Sequence, residues 1–325
     1  MMISIRNSSL ALRRARKSAS ASIVLCSLLA SAIPLHAQTA AAPPAAIPVT
    51  IGSPGGASIN LTPRRVIFDN NKRTEAIYVF NQGSKAATVE VSLIDNVMLA
   101  DGDIVPLSQL ANHGSAAAGA AEALRSAHDM ILATPSRLLL EPGKGKTIRL
   151  RASLPDGATT PMEFRTHLTV TTLPDADTGL TADAAAATER GELSMRVQSV
   201  FGISIPLIVR SGDTSAAASV SDISIVHGGT RAGGTAPNAA VLQFSLGRTG
   251  TSSIYGNIEV RAGEGKNAEM IGFVRGISVY SELAARQVHV NLMREPRKGE
   301  LLTIKFTDDE GRPGGPSASG TFHAP

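Results

Sequence analysis

Between residues 192 and 210 the chain reads E-L-S-M-R-V-Q-S-V-F-G-I-S-I-P-L-I-V-R. Its odd positions are Leu193, Met195, Val197, Ser199, Phe201, Ile203, Ile205, Leu207 and Val209, polar only at Ser199. Alternation with a period of two predicts a β-strand with one apolar face. The run is about three times the usual strand length of ~5–6 residues. Pro206 has no N–H to give a ladder, which predicts a sheet edge or a bend at that point. A long apolar edge is a hazard that proteins normally blunt. Keeping one predicts that something else pairs with it.

The N-terminal 37 residues read as a secretory signal peptide rather than as part of the fold. Arg6, Arg13, Arg14, Arg16 and Lys17 form a basic region, a short apolar core begins at Ile23, and Leu35-His36-Ala37 offers a small-residue cleavage site. The apolar run is too short for a spanning helix, and Val24-Leu25 before Cys26 lacks the small residues of a lipid-attachment site. The segment takes with it five of the 31 Lys and Arg and none of the 27 Asp and Glu, so the formal charge changes from +4 to −1. Nucleic acid or anionic membrane is therefore not indicated as a general partner. Cys26, the only cysteine, leaves too, so the exported chain must be held by core burial rather than disulfides.

Residues 38–57 are rich in Ala, Pro and Gly and read as a flexible arm. Short alternating runs follow at 65–68, 74–80, 87–95, 137–140, 147–152 and 163–172, separated by turn clusters such as Asp69-Asn70-Asn71 and Glu141-Pro142-Gly143. This spacing predicts an all-β sandwich over 58–210. The Ala-rich residues 115–130, with Leu124 and His128 four apart, predict one inserted helix. A boundary is expected at Ser211-Gly212-Asp213-Thr214. Strands readable at 220–226, 240–246, 254–260, 276–280, 288–292 and 301–306 then predict a second all-β unit over 211–325.

Local chemistry is sparse. Gly145-Lys146-Thr147 ends like a phosphate-binding loop, but the glycine required five residues earlier is Leu140, and alternation rather than a helix follows. No two of His113, His128, His167, His227, His289 and His323 have metal-ligand spacing on one element. The chain has no G-x-S-x-G elbow and no H-E-x-x-H helix. Neither an enzyme, a cofactor nor a metal is expected. Asn60-Leu61-Thr62 fits a glycosylation triplet of the kind that arises by chance. Arg64 and Arg65 fit either a solvated surface or bidentate recognition of a carboxylate.

Several segments together resemble the PapD-like periplasmic chaperones of pilus assembly. They are Arg64-Arg65-Val66-Ile67-Phe68-Asp69, then Tyr78-Val79-Phe80-Asn81, the L-E-P-G-K-G-K-T-I-R-L run from Leu140, and the alternating strand ending Ile208-Val209-Arg210. The likeness covers about 59–212, and more loosely the rest through Gly311-Arg312-Pro313. It implies two immunoglobulin-like sandwiches in tandem. It also implies a non-enzymatic periplasmic chaperone that lends a strand to incomplete pilus subunits until an outer-membrane usher takes them. Carried over, the donor strand falls on Leu193, Met195, Val197, Ser199 and Phe201. The arginine that anchors the subunit's terminal carboxylate falls on Arg65. The lysine that accompanies it in the family is replaced by Pro206, with Arg165 on the neighbouring strand as a substitute. A charged cluster between the domains would comprise Glu163, Arg210 and Asp308, and the free protein could hide its strand by self-association. The alternative is a secreted two-domain adhesin or structural surface protein, which predicts that the donor strand is already paired within its own chain.

Overall fold

A computed structural model describes residues 57–154, 159–174, 200–227, 240–312 and 314–325, which pack as part of one compact unit beginning at Gly52. The expected signal peptide, most of the arm, and Leu193, Met195, Val197 and Ser199 lie outside them. Two β-sandwiches follow one another along the chain, each around its own apolar core.

In the first sandwich, one sheet runs β1 (Ile59–Thr62), β3 (Thr74–Asn81), β9 (Gly145–Ala152), β7 (Ile131–Thr134). The other runs β2 (Val66–Phe68), β11 (Gly202–Ser211), β10 (Met162–Thr172), β4 (Ala87–Ile94), β8 (Arg137–Leu140). Strands second and fifth in the basic seven-strand order pair, as do third and sixth, which is the immunoglobulin arrangement. Two runs cross from one sheet to the other at proline: β1 gives way to β2 after the cis Thr62-Pro63 bond, and β7 to β8 after the cis Thr134-Pro135 bond. Inward residues obey the period of two. Ile77 and Val79 of β3, Ile148 and Leu150 of β9, Leu168 and Val170 of β10, and Ile205, Leu207 and Val209 of β11 share the core. Ala76, Tyr78 and Phe80 face outward, the two rings stacked 5.7 Å apart.

Between β4 and β7 the chain makes a small hairpin, β5 (Asn96–Met98) with β6 (Ile104–Pro106), and then a 10-residue helix, α1 (Gly114–Ala123). The helix is shorter than the residues 115–130 predicted from composition. Leu124 turns extended (φ −66°, ψ 125°), and the next residues pair beside β10. Arg165 N–H donates to Arg125 O at 2.8 Å, and Ala127 N–H to Arg165 O at 3.1 Å. Ladder bonds to a buried strand outweigh a helical preference of a few tenths of a kcal/mol per residue.

The second sandwich stacks β12 (Ala216–His227), β13 (Ala240–Gly250) and β16 (Ala285–Asn291) against β15 (Glu269–Val279), β14 (Ile254–Ala262), β17 (Leu301–Asp308) and β18 (Ser317–His323). Phe244, Ile258, Val260, Ile304 and Phe306 are fully buried in its core.

The chain passes between the sandwiches at Gly212, whose φ is +62°. A Cβ there would sit 2.5 Å from Thr159 O and 3.0 Å from Pro161 N. Both obstacles are backbone, so the clash has no flexible side chain to relieve it. Gly212→Ala is expected to cost about 2 kcal/mol or more, read as a lowered denaturation midpoint. An alanine variant as stable as wild type would show that the turn relaxes freely.

Candidate functional site

β11 is bonded to β10 along its whole length, from Met162↔Ser211 to Thr171↔Gly202. On its other side it meets β2 only at Leu207, Ile208 and Val209. Among the described residues, Gly202–Pro206 therefore has one free edge, and Pro206 lies on it as the sequence predicts. The β10 pairing continues one step further, with Thr172 N–H donating to Phe201 O at 2.8 Å and Phe201 N–H to Thr172 Oγ1 at 2.9 Å. Beyond that step Val200 and Phe201 are 53% and 57% exposed. Two large apolar side chains are thus exposed at the first described residues of this stretch.

The outward face of this sheet changes character along its length. Far from the second sandwich it carries Thr169 and Ser204, whose hydroxyls are 3.0 Å apart. Towards the second sandwich the same rows of β10 and β11 carry His167, Arg165 and Ile208, then Glu163 and Arg210, all buried. Ile208 joins Met98 and Tyr280 in a small apolar cluster, with Ile67 and Leu283 against it.

Glu163 and Arg210 do meet: Arg210 Nε donates to Glu163 Oε2 at 2.8 Å. The acid facing them from the second sandwich is Glu310, whose Oε2 accepts from Arg210 Nη1 at 2.9 Å and whose Oε1 accepts from Arg65 Nη2 at 2.6 Å. Glu163 Oε1 also accepts the Ser253 backbone N–H at 3.1 Å. Asp308 stands one step further out, where its Oδ1 accepts from Arg312 Nη2 at 3.0 Å and its Oδ2 from the Glu310 N–H at 3.1 Å. Burial opposes the charge on Arg210, yet Glu163 and Glu310 raise its pKa above the ordinary value. Burial would raise the Glu310 carboxyl, but Arg65, Arg210 and Arg312 together hold it below the usual carboxylate range.

Arg65 also lies over the Tyr255 ring, 4.7 Å from its centroid, and its Nε and Nη1 have no protein partner. Arg165 is placed differently. It is 1% exposed, donates through Nη2 to Glu282 Oε1, and stacks on Tyr280 with its guanidinium 3.9 Å from the ring centroid. Glu282 Oε1 accepts the Met98 N–H at 3.0 Å as well, tying the β5–β6 hairpin to the same point. Arg165 reaches a subunit carboxylate only by leaving this pair. His167 completes the group: 3% exposed, with Arg165 Nη1 3.3 Å from each ring nitrogen and its ring perpendicular to that of Tyr280. Burial lowers its pKa well below 6.5, and the charges of Arg165 and Arg65 push it the same way.

Sequence reasoning missed Glu282, Tyr280, Ser253, Glu310 and Arg312. The available signal was on β10, where Glu163, Arg165 and His167 share one face. The resemblance placed Glu163 in a cluster between the domains and Arg165 at a subunit carboxylate, and only the second sandwich shows which residues meet them.

No protein-family profile matches the sequence, and no curated protein does. Solved structures similar to the chain include the Pseudomonas aeruginosa CupB2 chaperone, with 12% identity over 82% of this chain and 100% of that one, at a TM-score of 0.37. The CsuC–CsuE chaperone–tip adhesion subunit complex of Acinetobacter baumannii is 14% identical over 82% and 98%, at a TM-score of 0.36. The SafB chaperone–SafA pilin complex of Salmonella enterica is 13% identical over 82% and 96%, at a TM-score of 0.36. The fold assignment rests on the strand order and not on these likenesses. Among the described residues no helix is long and apolar enough to cross a membrane.

Proposed function

We propose that this chain is a non-enzymatic periplasmic chaperone that caps incomplete immunoglobulin-like pilus subunits and passes them to an outer-membrane usher. The observation that carries this reading is the edge of β11 at Gly202–Pro206, free among the described residues and directly after the exposed Val200 and Phe201. Backbone groups on such an edge accept a strand from another chain, and alternate side chains fill that chain's pockets. The donor residues are Leu193, Met195, Val197, Ser199 and Phe201. Their four apolar side chains would contribute roughly 6–12 kcal/mol before ordering costs. Two domains, meeting at Gly212, follow an exported leader and arm.

For the subunit's terminal carboxylate, Arg65 is the better-placed anchor. It keeps Nε and Nη1 unpartnered while Nη2 holds Glu310. Both unpartnered nitrogens are buried and point to opposite sides of the guanidinium, so a carboxylate meets one of them at a time and only when the side chain turns outward. Arg165 is occupied by Glu282.

Co-expression in the periplasm with a candidate pilin, followed by co-purification, tests the reading. Val197→Asp with Phe201→Asp is expected to reduce recovered subunit at least tenfold while the chaperone itself remains folded. Undiminished recovery with the double variant would sink the donor-strand mechanism.

A further inference from the structure

Four arginines in the seam between the sandwiches are paired with carboxylates, while Arg248, bonded to backbone carbonyls, adds a further cation near Glu163 and Glu282. Arg65, Arg165, Arg210 and Arg312 are paired with Glu163, Glu282, Glu310 and Asp308. His167 is set among them with no carboxylate of its own. Along β10 it has Arg165 against its ring and Glu163 beyond, the latter taken by Arg210. β11 offers it Pro206 in register, and β4 offers Ile94, with Asp95 one residue further on. The second sandwich presents Tyr280, its ring perpendicular to the imidazole, and Glu282 already holding Arg165 and the Met98 N–H. Arg65 adds a second positive charge nearby. A neutral imidazole fits this setting because it can accept from the Arg165 guanidinium. An imidazolium cannot, since both its nitrogens then carry protons and face a cation in a buried space.

The geometry points to a proton-operated latch: one proton taken up by His167 drives Arg165 from Glu282 and loosens the second sandwich on the first, with Arg65 and Arg210 still on Glu310. Glu282 is the fulcrum, because the same carboxylate oxygen holds Arg165 and the β5–β6 hairpin. The direction follows from linkage. The ring binds its proton less readily in the closed seam than in solvent, so falling pH favours whatever form exposes it. Opening begins as pH drops below about 6.5 and gains up to about tenfold per pH unit while one proton is coupled. The inference stands independently of the donor-strand reading, since the groups that titrate or pair in it, His167, Arg165 and Glu282, lie off the free edge.

The test is a distance measurement between the sandwiches. Spin labels go on cysteines placed at Leu132 and Met293, which are 64% and 68% exposed, in the full chain with Cys26 replaced by serine. Double electron–electron resonance is expected to give one narrow distance at pH 7.5 and a second, broader population at pH 4.5. His167→Gln, which accepts or donates without taking a charge, is expected to keep the narrow distance at both. In the wild type, the imidazole C2–H shift of His167 followed by NMR is expected to titrate with the same midpoint as the distance change. That coincidence decides the matter should the glutamine variant fail to fold. Opening of His167→Gln at the wild-type midpoint overturns the latch, as does a wild type that stays narrow at pH 4.5 or opens at a midpoint unrelated to the ring.

Discussion

Glu282→Ala is expected to lower stability by about 3–5 kcal/mol, because it strands a buried guanidinium. Arg165 is 1% exposed and its Nε already lacks a partner, so losing Glu282 leaves the cation with only the face of Tyr280 and the neutral His167 ring, and with no anion. The same substitution removes the acceptor of the Met98 N–H. Arg165→Met alone leaves Glu282 buried with its Oε2 already unpartnered, and a loss of similar size is expected. The double variant Arg165→Met/Glu282→Leu removes both charges and fills the space with apolar groups. It is expected to recover most of that loss, since a buried pair replaced by well-packed side chains is often neutral or better. Denaturant unfolding of the wild type, Arg165→Met, Glu282→Leu and the double variant closes the cycle and measures the coupling directly. Additive losses, with the double variant worse than either single one, would show that Arg165 and Glu282 are held by separate partners rather than by each other.

Much of the first sandwich was legible because its strands are half-buried and therefore alternate. On β11 the odd residues Ile203, Ile205, Leu207 and Val209 form the inner row, as the pattern required. Gly212 marked the passage between sandwiches because a turn with positive φ selects glycine. Other elements carried no such signal. β18 reads S-A-S-G-T-F-H and is an edge strand with alternately exposed and half-buried positions, so little in its composition marks it. The first half of β15 is crossed by Gly272, where a Cβ would meet Val290 Cγ1 at 2.8 Å. There the close approach of another strand, which the sequence does not show, sets the residue. Glu282 and Arg165 are separated by 117 positions, and only the fold brings them together.

What the alternation left undivided was the role of the outward row. Along β10 and β11 it begins as the open, hydroxyl-bearing stretch at Thr169 and Ser204 and ends as a seam of buried ion pairs. One strand pair thus serves two surfaces. Strengthening the seam holds β11 in place without closing the edge that is free among the described residues, because β2 covers only Leu207–Val209.

The seam also separates Asp308, which the resemblance singled out, from Glu310, which it missed. Glu310→Ala is expected to cost about 3–5 kcal/mol, and Asp308→Ala about 1–2 kcal/mol. Both side chains are largely buried, so exposure does not distinguish them. Their partners do. Glu310 accepts from Arg65 and Arg210 and lies 3.3 Å from Arg312 Nε, so its loss leaves the cations of two sandwiches facing each other. Asp308 holds Arg312, which keeps Glu310 when Asp308 is gone. The carboxyl of Glu310 is held below its ordinary range in the fold, so its contribution is complete above the unfolded value near ~4.3 and is lost as pH falls through the folded value. Comparison with Glu310→Gln therefore has a fixed direction. The advantage of the native acid is expected to be constant from neutral pH down to about pH 5, then to shrink on further acidification. Denaturation midpoints at pH 7.5, 5 and 3 measure it. An advantage that grows in acid, or an Asp308→Ala variant weaker than Glu310→Ala, would place the pivot of the seam on Asp308 instead.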